Sequence, residues 1–247
     1  MPLVAKPSSQ SLLLRMRFSG QDISIGTGFV VQSAGGPMLI TNRHNVTGRN
    51  QDTGELISST GGIPDEIVII HNKFDRIGEW TICIEPLFED EAPRWIEHPT
   101  LRDRADIVAL PLTQLQNVAL LPYSLEESKP DLQVGPADTV NVIGFPFGIS
   151  ADGFAVWATG FLASEPHVDY NGRPVQLIDC RTRKGQSGSP VIAYRKDCWV
   201  HLDNNTSSML NGEAWKFIGV YSGRVNEESD LGIVWKASAV RELIASV

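Results

Sequence analysis

The sequence predicts an all-β fold made of two barrels side by side. Short runs of β-branched and aromatic residues recur along the chain, separated by Gly, Pro, Asn and Asp, which is the pattern of an all-β barrel or sandwich. The chain has 247 residues, a length that suits two small barrels, and its 42% hydrophobic content is ample for their cores. We expect six antiparallel strands in each barrel.

The first barrel is predicted over residues 1–115. Its strands are placed at residues 12–18, 28–32, 38–41, 66–71, 80–86 and 107–110. Residues 48–64 are polar and rich in glycine, so we interpret them as a surface insertion. Residues 116–136 are rich in Pro, Glu and Ser and are predicted to connect the two barrels.

The second barrel and a C-terminal helix are predicted over residues 137–247. The strands are placed at residues 139–144, 155–162, 176–180, 190–194, 216–222 and 232–236. Residues 237–245 combine helix-forming residues with apolar spacing and predict a short helix.

A serine lies between glycines in the segment KGQSGSP, residues 184–190, just ahead of an apolar strand. A serine hydroxyl is a poor nucleophile at neutral pH, so it needs an imidazole to take its proton and backbone N–H groups to hold an oxyanion. Gly185 has no Cβ and can take a conformation that points its N–H, with that of Ser187, into one concavity. We predict Ser187 as the nucleophile and these two N–H groups as the oxyanion hole.

A histidine and an aspartate in the first half are the matching base and acid. His44 follows the apolar strand at residues 38–41, and Asp106 directly precedes the apolar residues 107–110, from which it can point inward. Asp103 is a rival for the role of the acid. His44, Asp106 and Ser187 run along the chain in the order of the chymotrypsin-like double barrel.

With these residues the sequence resembles the trypsin-like serine peptidases, especially the bacterial intracellular-type branch and the high-temperature-requirement proteases. The resemblance also includes IGTGFVV at residues 25–31 and IGVYSG at residues 218–223, and it spans about residues 10–240. It implies a chymotrypsin-like double barrel and a serine endopeptidase that cleaves protein or peptide substrates through an acyl-enzyme.

The residue before the nucleophile departs from secreted trypsins. They have an aspartate there that pairs with a newly cut amino terminus, whereas this chain has Gln186, whose neutral amide cannot form that ion pair. No Ile-Val-Gly-Gly start occurs near residue 1. We therefore expect activity without cleavage of the N-terminus, with any control exerted by substrate access, a partner or the loop that carries Gly185.

The resemblance also places a specificity pocket, but its preference stays open. The base would fall at Arg181 or Thr182, with walls from Tyr221, Ser222 and Gly223. A buried Arg181 would favour an acidic substrate residue. Acidic residues in the closing loop would instead favour a basic one; they are Glu227, Glu228 and Asp230.

Two other functions compete with the endopeptidase. One is a binding protein built on a protease fold whose chemistry is unused, and the other is an esterase of small substrates. The nucleophile elbow of α/β-hydrolases does not fit, because position 189 is Ser where that motif has Gly and the only histidine after Ser187 is His201, just fourteen residues on. The histidines and cysteines show no metal-binding spacing, so no metal and no other cofactor is predicted.

Charge and composition limit the partners and the compartment. The formal net charge of −8 disfavours nucleic acid and anionic membranes, which would be repelled at long range. No run of about 20 apolar residues and no signal peptide is evident, and three cysteines are too few for a disulfide framework. We expect a cytoplasmic protein.

Overall fold

The first half of the chain folds around a seven-stranded antiparallel sheet. The computed structural model describes residues 4–126, 130–226 and 228–247. The elements of this half are α1 (Lys6–Gln10), β1 (Ser11–Phe18), β2 (Gln21–Ser33), β3 (Gly36–Thr41), α2 (Arg43–Thr47), β4 (Glu66–Lys73), β5 (Arg76–Pro86), β6 (Phe88–Glu89), β7 (Ala92–Pro93), β8 (Ile96–Glu97) and β9 (Val108–Pro111). The strand order in the sheet is β5-β4-β1-β2-β3-β9-β8. Alternation along β1 buries Leu12, Leu14 and Met16, which pack with Ile67 and Ile69 of β4 inside the sheet.

The second half contains a closed six-stranded barrel. Its elements are β10 (Thr139–Gly144), a 3-10 turn (Pro146–Gly148), β11 (Val156–Leu162), β12 (Val175–Asp179), β13 (Pro190–Lys196), β14 (Trp199–His201), β15 (Ser207–Met209), β16 (Glu213–Arg224), β17 (Leu231–Lys236) and α3 (Ala237–Ala245). The strand order in the barrel is β10-β11-β12-β17-β16-β13. Val142, Ile178, Val191 and Val234 are fully buried inside this barrel.

A shared apolar core joins the two halves. Phe29 of β2 stacks edge-on against Tyr123, with ring centroids 5.1 Å apart, and lies 5.6 Å from Phe217 of β16. Ile107 of the first half and Trp235 of the second belong to the same buried cluster. This packing fixes the loops of one barrel against those of the other.

The predicted all-β double barrel with a short C-terminal helix is confirmed, and every predicted strand overlaps an observed one. The main sheet of the first half has one strand more than predicted, because the two-residue strand β8 pairs with β9 at one edge. The pairs β6–β7 and β14–β15 were not predicted, since such short hairpins carry little periodic signal. Residues 127–129, inside the predicted connector, lie outside the described residues.

The three cysteines Cys83, Cys180 and Cys198 are free thiols, so packing holds the barrels together. Among the described helices none has the length and apolar character to cross a membrane.

His71 on β4 is expected to make the stability of the fold depend on pH. Its side chain is buried, and its Nε2 has no hydrogen-bond partner among the described residues. Burial lowers its pKa to about 4, against an opposing effect of Glu85. The unfolded chain then binds the proton more readily, so stability should fall by up to about 3 kcal/mol as pH drops from 6.5 to 4. Denaturant unfolding across this pH range should show a smaller loss of the free energy of unfolding for His71→Gln than for the wild type.

The exposed His201→Gln variant is the matched control and should keep the wild-type pH dependence. If the stability of His71→Gln fell with pH as steeply as that of the wild type, His71 would not be the source of the pH dependence.

Candidate active site

His44 and Asp106 form a tightly bonded pair at the mouth between the barrels. The sequence had suggested that His44 lies at the end of a strand. In the structure it lies on the short helix α2. Its backbone N–H donates to Oδ1 of Asp106 at 2.9 Å, and its Nδ1 lies 2.7 Å from Oδ2. Because a carboxylate can only accept, Nδ1 carries the proton and Nε2 keeps a free lone pair.

Asp106 is held from three sides. It lies in a bend two residues before β9, is 2% exposed, and its carbonyl oxygen accepts a bond of 2.6 Å from the Asn42 side-chain amide. The Ser222 hydroxyl donates to Oδ2 at 2.5 Å. The sequence placed Ser222 in a pocket wall; in the structure its hydroxyl orients the carboxylate that orients His44.

The rival acid Asp103 does not reach His44 by a hydrogen bond. Its side chain is exposed, and its carbonyl oxygen accepts a bond from the Gln51 amide. The structure therefore pairs His44 with Asp106, as preferred from the sequence.

The pKa of His44 results from two opposing effects. Burial favours the neutral ring and lowers the pKa, but the charge and the hydrogen bond of Asp106 outweigh burial and leave the pKa above its ordinary value. The ring is therefore a stronger base than a free histidine.

Two hydrogen bonds join the carbonyl of Ser187 to the first barrel. Thr27 N–H donates to the Ser187 carbonyl at 2.8 Å, and the Asn45 amide donates to the same oxygen at 3.2 Å. Asn45 directly follows His44 on α2, so the histidine and the serine loop are linked through neighbouring residues.

Three buried polar residues of this link were missed from the sequence. Thr27 Oγ1 donates to the Gly185 carbonyl at 2.8 Å, Thr41 Oγ1 donates to the Thr27 carbonyl at 2.8 Å, and Asn45 donates to Thr41 Oγ1 at 2.9 Å. The available signal was a threonine between two glycines, Gly26 and Gly28, in the otherwise apolar segment of residues 25–31. A Cβ at Gly26 would lie 2.7 Å from the Asn45 amide nitrogen, so glycine leaves room for Asn45.

The N–H groups of Gly185 and Ser187 are available as a pair of donors. Within the described part of the chain neither donates a hydrogen bond. Gly185 has φ 93° and Gly188 has φ 88°, left-handed values that turn the loop sharply on both sides of Ser187. This arrangement fits the predicted oxyanion hole.

Gln186 holds this loop through neutral hydrogen bonds. It is 1% exposed; its Oε1 accepts from Arg183 N–H at 2.7 Å, and its own N–H donates to the Arg183 carbonyl at 3.2 Å. Ser189 N–H donates to the Gln186 carbonyl at 2.9 Å. The loop is thus closed on itself by residues 183–189.

A cleft of about 310 Å³ opens beside the pair and is lined by His44, Asp106, Ser222, Gly223 and Arg224 among others. A larger cavity of about 800 Å³ on the second barrel includes none of the predicted triad residues.

The predicted specificity residues separate into two groups. Gly223 and Ser222 line the cleft, whereas Thr182 and Tyr221 are buried and bonded to each other through their hydroxyls at 2.5 Å. Burial raises the pKa of Tyr221 to about 12, so it stays neutral. Arg181 is exposed, which excludes it as the base of a buried pocket.

The acidic residues of the closing loop that the structure describes lie at the surface. Glu228 and Asp230 are exposed, and Glu227 lies outside the described residues. Among the side chains that the structure describes, no cluster of His, Cys, Asp and Glu could hold a metal ion.

Gly185→Ala is expected to reduce kcat by about 10²–10³ by displacing an oxyanion donor. At φ 93° a Cβ is strained, and it would collide with the Phe145 carbonyl oxygen, so the N–H must move. Gly212→Ala is the matched control, because Gly212 has φ 95° but open space around its Cβ position. Steady-state kinetics of both variants test this; wild-type kcat in Gly185→Ala would contradict the oxyanion assignment.

The cleft lining includes His44 and Asp106 but not Ser187, whose loop is joined to the helix of His44 through Asn45. A double β-barrel with a bonded His–Asp pair and a glycine-flanked serine is the architecture of a serine-type peptidase. The family model described as the trypsin-like peptidase domain matches residues 26–200. The chain belongs to this family, and its enzyme class is serine-type peptidase.

Solved structures similar to this chain are serine proteases at low sequence identity. The active form of the Rv3671c protease from M. tuberculosis is 18% identical, with a TM-score of 0.51, and the match covers 99% of this chain and 83% of that one. The thermostable serine protease AL20 from an extremophilic microorganism is 14% identical, with a TM-score of 0.55 and 98% of both chains covered. A serine endoprotease from Yersinia pestis is 12% identical, with a TM-score of 0.53, and 97% of this chain and 64% of that one are covered.

At these low sequence identities, the similarity to the solved structures supports the fold of this chain. No curated protein sequence matches the chain significantly.

Proposed function

We propose that this protein is a serine endopeptidase that cleaves peptide bonds through an acyl-enzyme, with Ser187, His44 and Asp106 as its catalytic triad. The observation that carries the proposal is the 2.7 Å bond between His44 Nδ1 and the buried Asp106, which leaves Nε2 as the free base. The glycine-flanked Ser187 is linked to the same helix through Asn45.

In the first step the Ser187 hydroxyl attacks the scissile carbonyl carbon while His44 Nε2 takes the hydroxyl proton. Asp106 stabilises the imidazolium that forms and keeps its proton on Nδ1. The tetrahedral intermediate then collapses as His44 gives the proton to the leaving amine. Water repeats the sequence on the acyl-enzyme and regenerates the serine.

The developing oxyanion would be held by the N–H groups of Gly185 and Ser187. Their lack of other hydrogen bonds within the described residues supports this role, because preorganised donors need no rearrangement during the reaction. The carbonyls that share peptide planes with the two donors are those of Lys184 and Gln186. They accept from Phe147 N–H at 2.6 Å and Ser189 N–H at 2.9 Å, which holds the donors in direction.

We also propose that the enzyme is active without a newly cut amino terminus. In this chain Gln186 bonds to the backbone of Arg183, so the loop is closed by groups of its own. The N-terminal helix α1 is engaged elsewhere: Ser8 accepts a bond of 2.8 Å from Trp157 Nε1, and Gln10 donates to the Pro122 carbonyl at 2.7 Å. A new N-terminal amine has no carboxylate to pair with at position 186.

The proposal is tested with a fluorophosphonate probe and a peptide library. Intact protein should be labelled at Ser187, located by mass spectrometry, and should cleave internal peptide bonds. Labelling with turnover of activated esters alone would indicate an esterase, and no labelling of the folded protein would indicate a binding protein on this fold. Either result would overturn the endopeptidase assignment.

A further inference from the structure

Two buried asparagines stand on either side of His44 at the short helix α2. Asn42 is the residue before the helix, and Asn45 directly follows His44 within it. Asn42 Nδ2 donates to the backbone carbonyl of Asp106 at 2.6 Å, and Asn45 Nδ2 donates to the backbone carbonyl of Ser187 at 3.2 Å. The helix of the base is therefore bonded to the backbone of both the acid and the nucleophile.

Asn42 occupies the N-cap position of α2 but does not cap the helix. Asparagine is among the preferred N-cap residues, because its side-chain oxygen accepts an N–H group of the first turn. Here the side chain makes no cap hydrogen bond, and its Oδ1 is buried without a hydrogen-bond partner among the described residues. Such an atom destabilises the fold, so the amide is oriented for the bond to Asp106 at the expense of local stability.

Asn45 directs its amide N–H₂ group toward the nucleophile. Its Nδ2 donates to Thr41 Oγ1 at 2.9 Å as well as to the Ser187 carbonyl. The Thr41 hydroxyl gives its own proton to the Thr27 carbonyl, so its oxygen is an acceptor for Asn45. Because both partners of the amide are acceptors, the nitrogen of Asn45 and not its oxygen must face them.

The peptide group that follows Ser187 is held at both ends. Its carbonyl accepts from Asn45 and also from Thr27 N–H at 2.8 Å, and its N–H, which belongs to Gly188, donates to the Tyr221 carbonyl at 2.9 Å. The Cα atom of the serine is attached directly to this peptide group. A shift of the group would therefore move the serine hydroxyl relative to the imidazole.

We propose that Asn42 and Asn45 are positioning residues, which set the places of Asp106 and Ser187 relative to His44. This inference rests on the proposed endopeptidase function. Proton transfer from the serine to the imidazole needs the two atoms within hydrogen-bond reach, about 2.6–3.2 Å. A displacement of about 1 Å can lower the rate by about 10². Neither asparagine lines the cleft, so their loss should lower kcat and leave KM unchanged.

The test compares Asn45→Leu and Asn42→Leu with the matched control Asn72→Leu, each in the full chain. Leucine has the branched shape of asparagine but no hydrogen-bonding groups. Asn72 on β4 is also buried; its Nδ2 donates to the backbone carbonyl of Ser9 at 2.7 Å, and its Oδ1, like that of Asn42, has no partner among the described residues. The control thus loses the same kind of bond at a place that is not connected to the triad.

We expect kcat to fall by about 10² in Asn45→Leu and in Asn42→Leu. KM should stay within about twofold of wild type in both, and Asn72→Leu should keep kcat and KM within about twofold of wild type. Thermal unfolding of each variant shows that it is folded at the assay temperature. If Asn45→Leu does not fold, Asn45→Ala removes the same donors without adding a bulky apolar group and carries the same expectation.

The acid limb of the profile of kcat/KM against pH distinguishes the two asparagines. Asp106 raises the pKa of His44 against the effect of burial. Displacement of Asp106 in Asn42→Leu should therefore lower this pKa and move the acid limb to lower pH, whereas Asn45→Leu should keep the wild-type limb. Both variants leave in place the other charged groups that line the cleft, which are Asp52, Arg173 and Arg224.

Wild-type kcat in the folded Asn45 variant, a loss that appears only in KM, or an equal loss of kcat in Asn72→Leu would overturn the positioning role. An unchanged acid limb in Asn42→Leu would overturn the part assigned to Asn42. If the wild-type protein were not labelled at Ser187 by the fluorophosphonate probe, the endopeptidase would be refuted, and the inference with it. Labelling of the wild type thus distinguishes failure of the function from failure of the positioning role.

Discussion

Ser187→Ala is expected to lower kcat for peptide hydrolysis by about 10⁶ and to abolish covalent labelling, while the protein stays folded. The Ser187 hydroxyl makes no hydrogen bond to the described residues, and the bonds to its carbonyl from Thr27 and Asn45 do not depend on the side chain. Removal of one oxygen therefore deletes the nucleophile and little else. Probe labelling, peptide turnover and thermal unfolding of the purified variant measure the three expectations.

Ser189→Ala is the matched control, since it removes a hydroxyl from the same loop. Ser189 is fully buried and its Oγ has no hydrogen-bond partner among the described residues, so its loss should leave activity and stability close to those of wild type. Activity near wild type in Ser187→Ala, together with loss in Ser189→Ala, would show that the nucleophile is misassigned.

The strands could be predicted because their signal is local. β1 alternates buried Leu12, Leu14 and Met16 with more exposed neighbours, and β10 is a short apolar run that begins and ends where the sequence predicts. Helix α2 could not be predicted, because five residues without apolar periodicity carry no helical signal. Its backbone instead follows from the bond between His44 N–H and Asp106, a contact across 62 positions of sequence.

The candidate site was predictable where glycine and sequence order carried the information. Gly185 and Gly188 are required by left-handed backbone on each side of Ser187, a constraint that can be inferred from the sequence. Thr27 and Asn45 were missed because a buried threonine or asparagine reveals its role only when its distant partner is known. The exposure of Arg181 was unpredictable for the same reason, since burial depends on the packing of other loops.

Gln186, which stands where secreted trypsins have an aspartate, can be given a structural role only from the fold. The sequence indicated only that a carboxylate was missing. In the structure the neutral amide accepts the Arg183 N–H, so the position stabilises the loop without a charge that would need a buried cation. Its Nε2 is buried and without a partner among the described residues, which is a cost of that arrangement.

Asp106→Asn is expected to lower kcat by about 10⁴ near neutral pH. The carboxylate now accepts from His44 N–H, His44 Nδ1 and the Ser222 hydroxyl. An asparagine has one accepting oxygen, and if that oxygen stays on His44 N–H, its amide N–H₂ faces Nδ1. The ring proton then moves to Nε2, which can no longer take the proton of the serine.

Asp103→Asn is the matched control for the assignment of the acid. The Asp103 side chain is exposed, and the bond that Gln51 makes to its backbone carbonyl is kept in the variant, so kcat should change by less than about twofold. Steady-state kinetics at pH 7 on both variants, with thermal unfolding to confirm that each is folded, decide between the two aspartates. If Asp103→Asn lost activity by orders of magnitude and Asp106→Asn did not, the hydrogen bond between His44 and Asp106 would be structural and the acid would be Asp103.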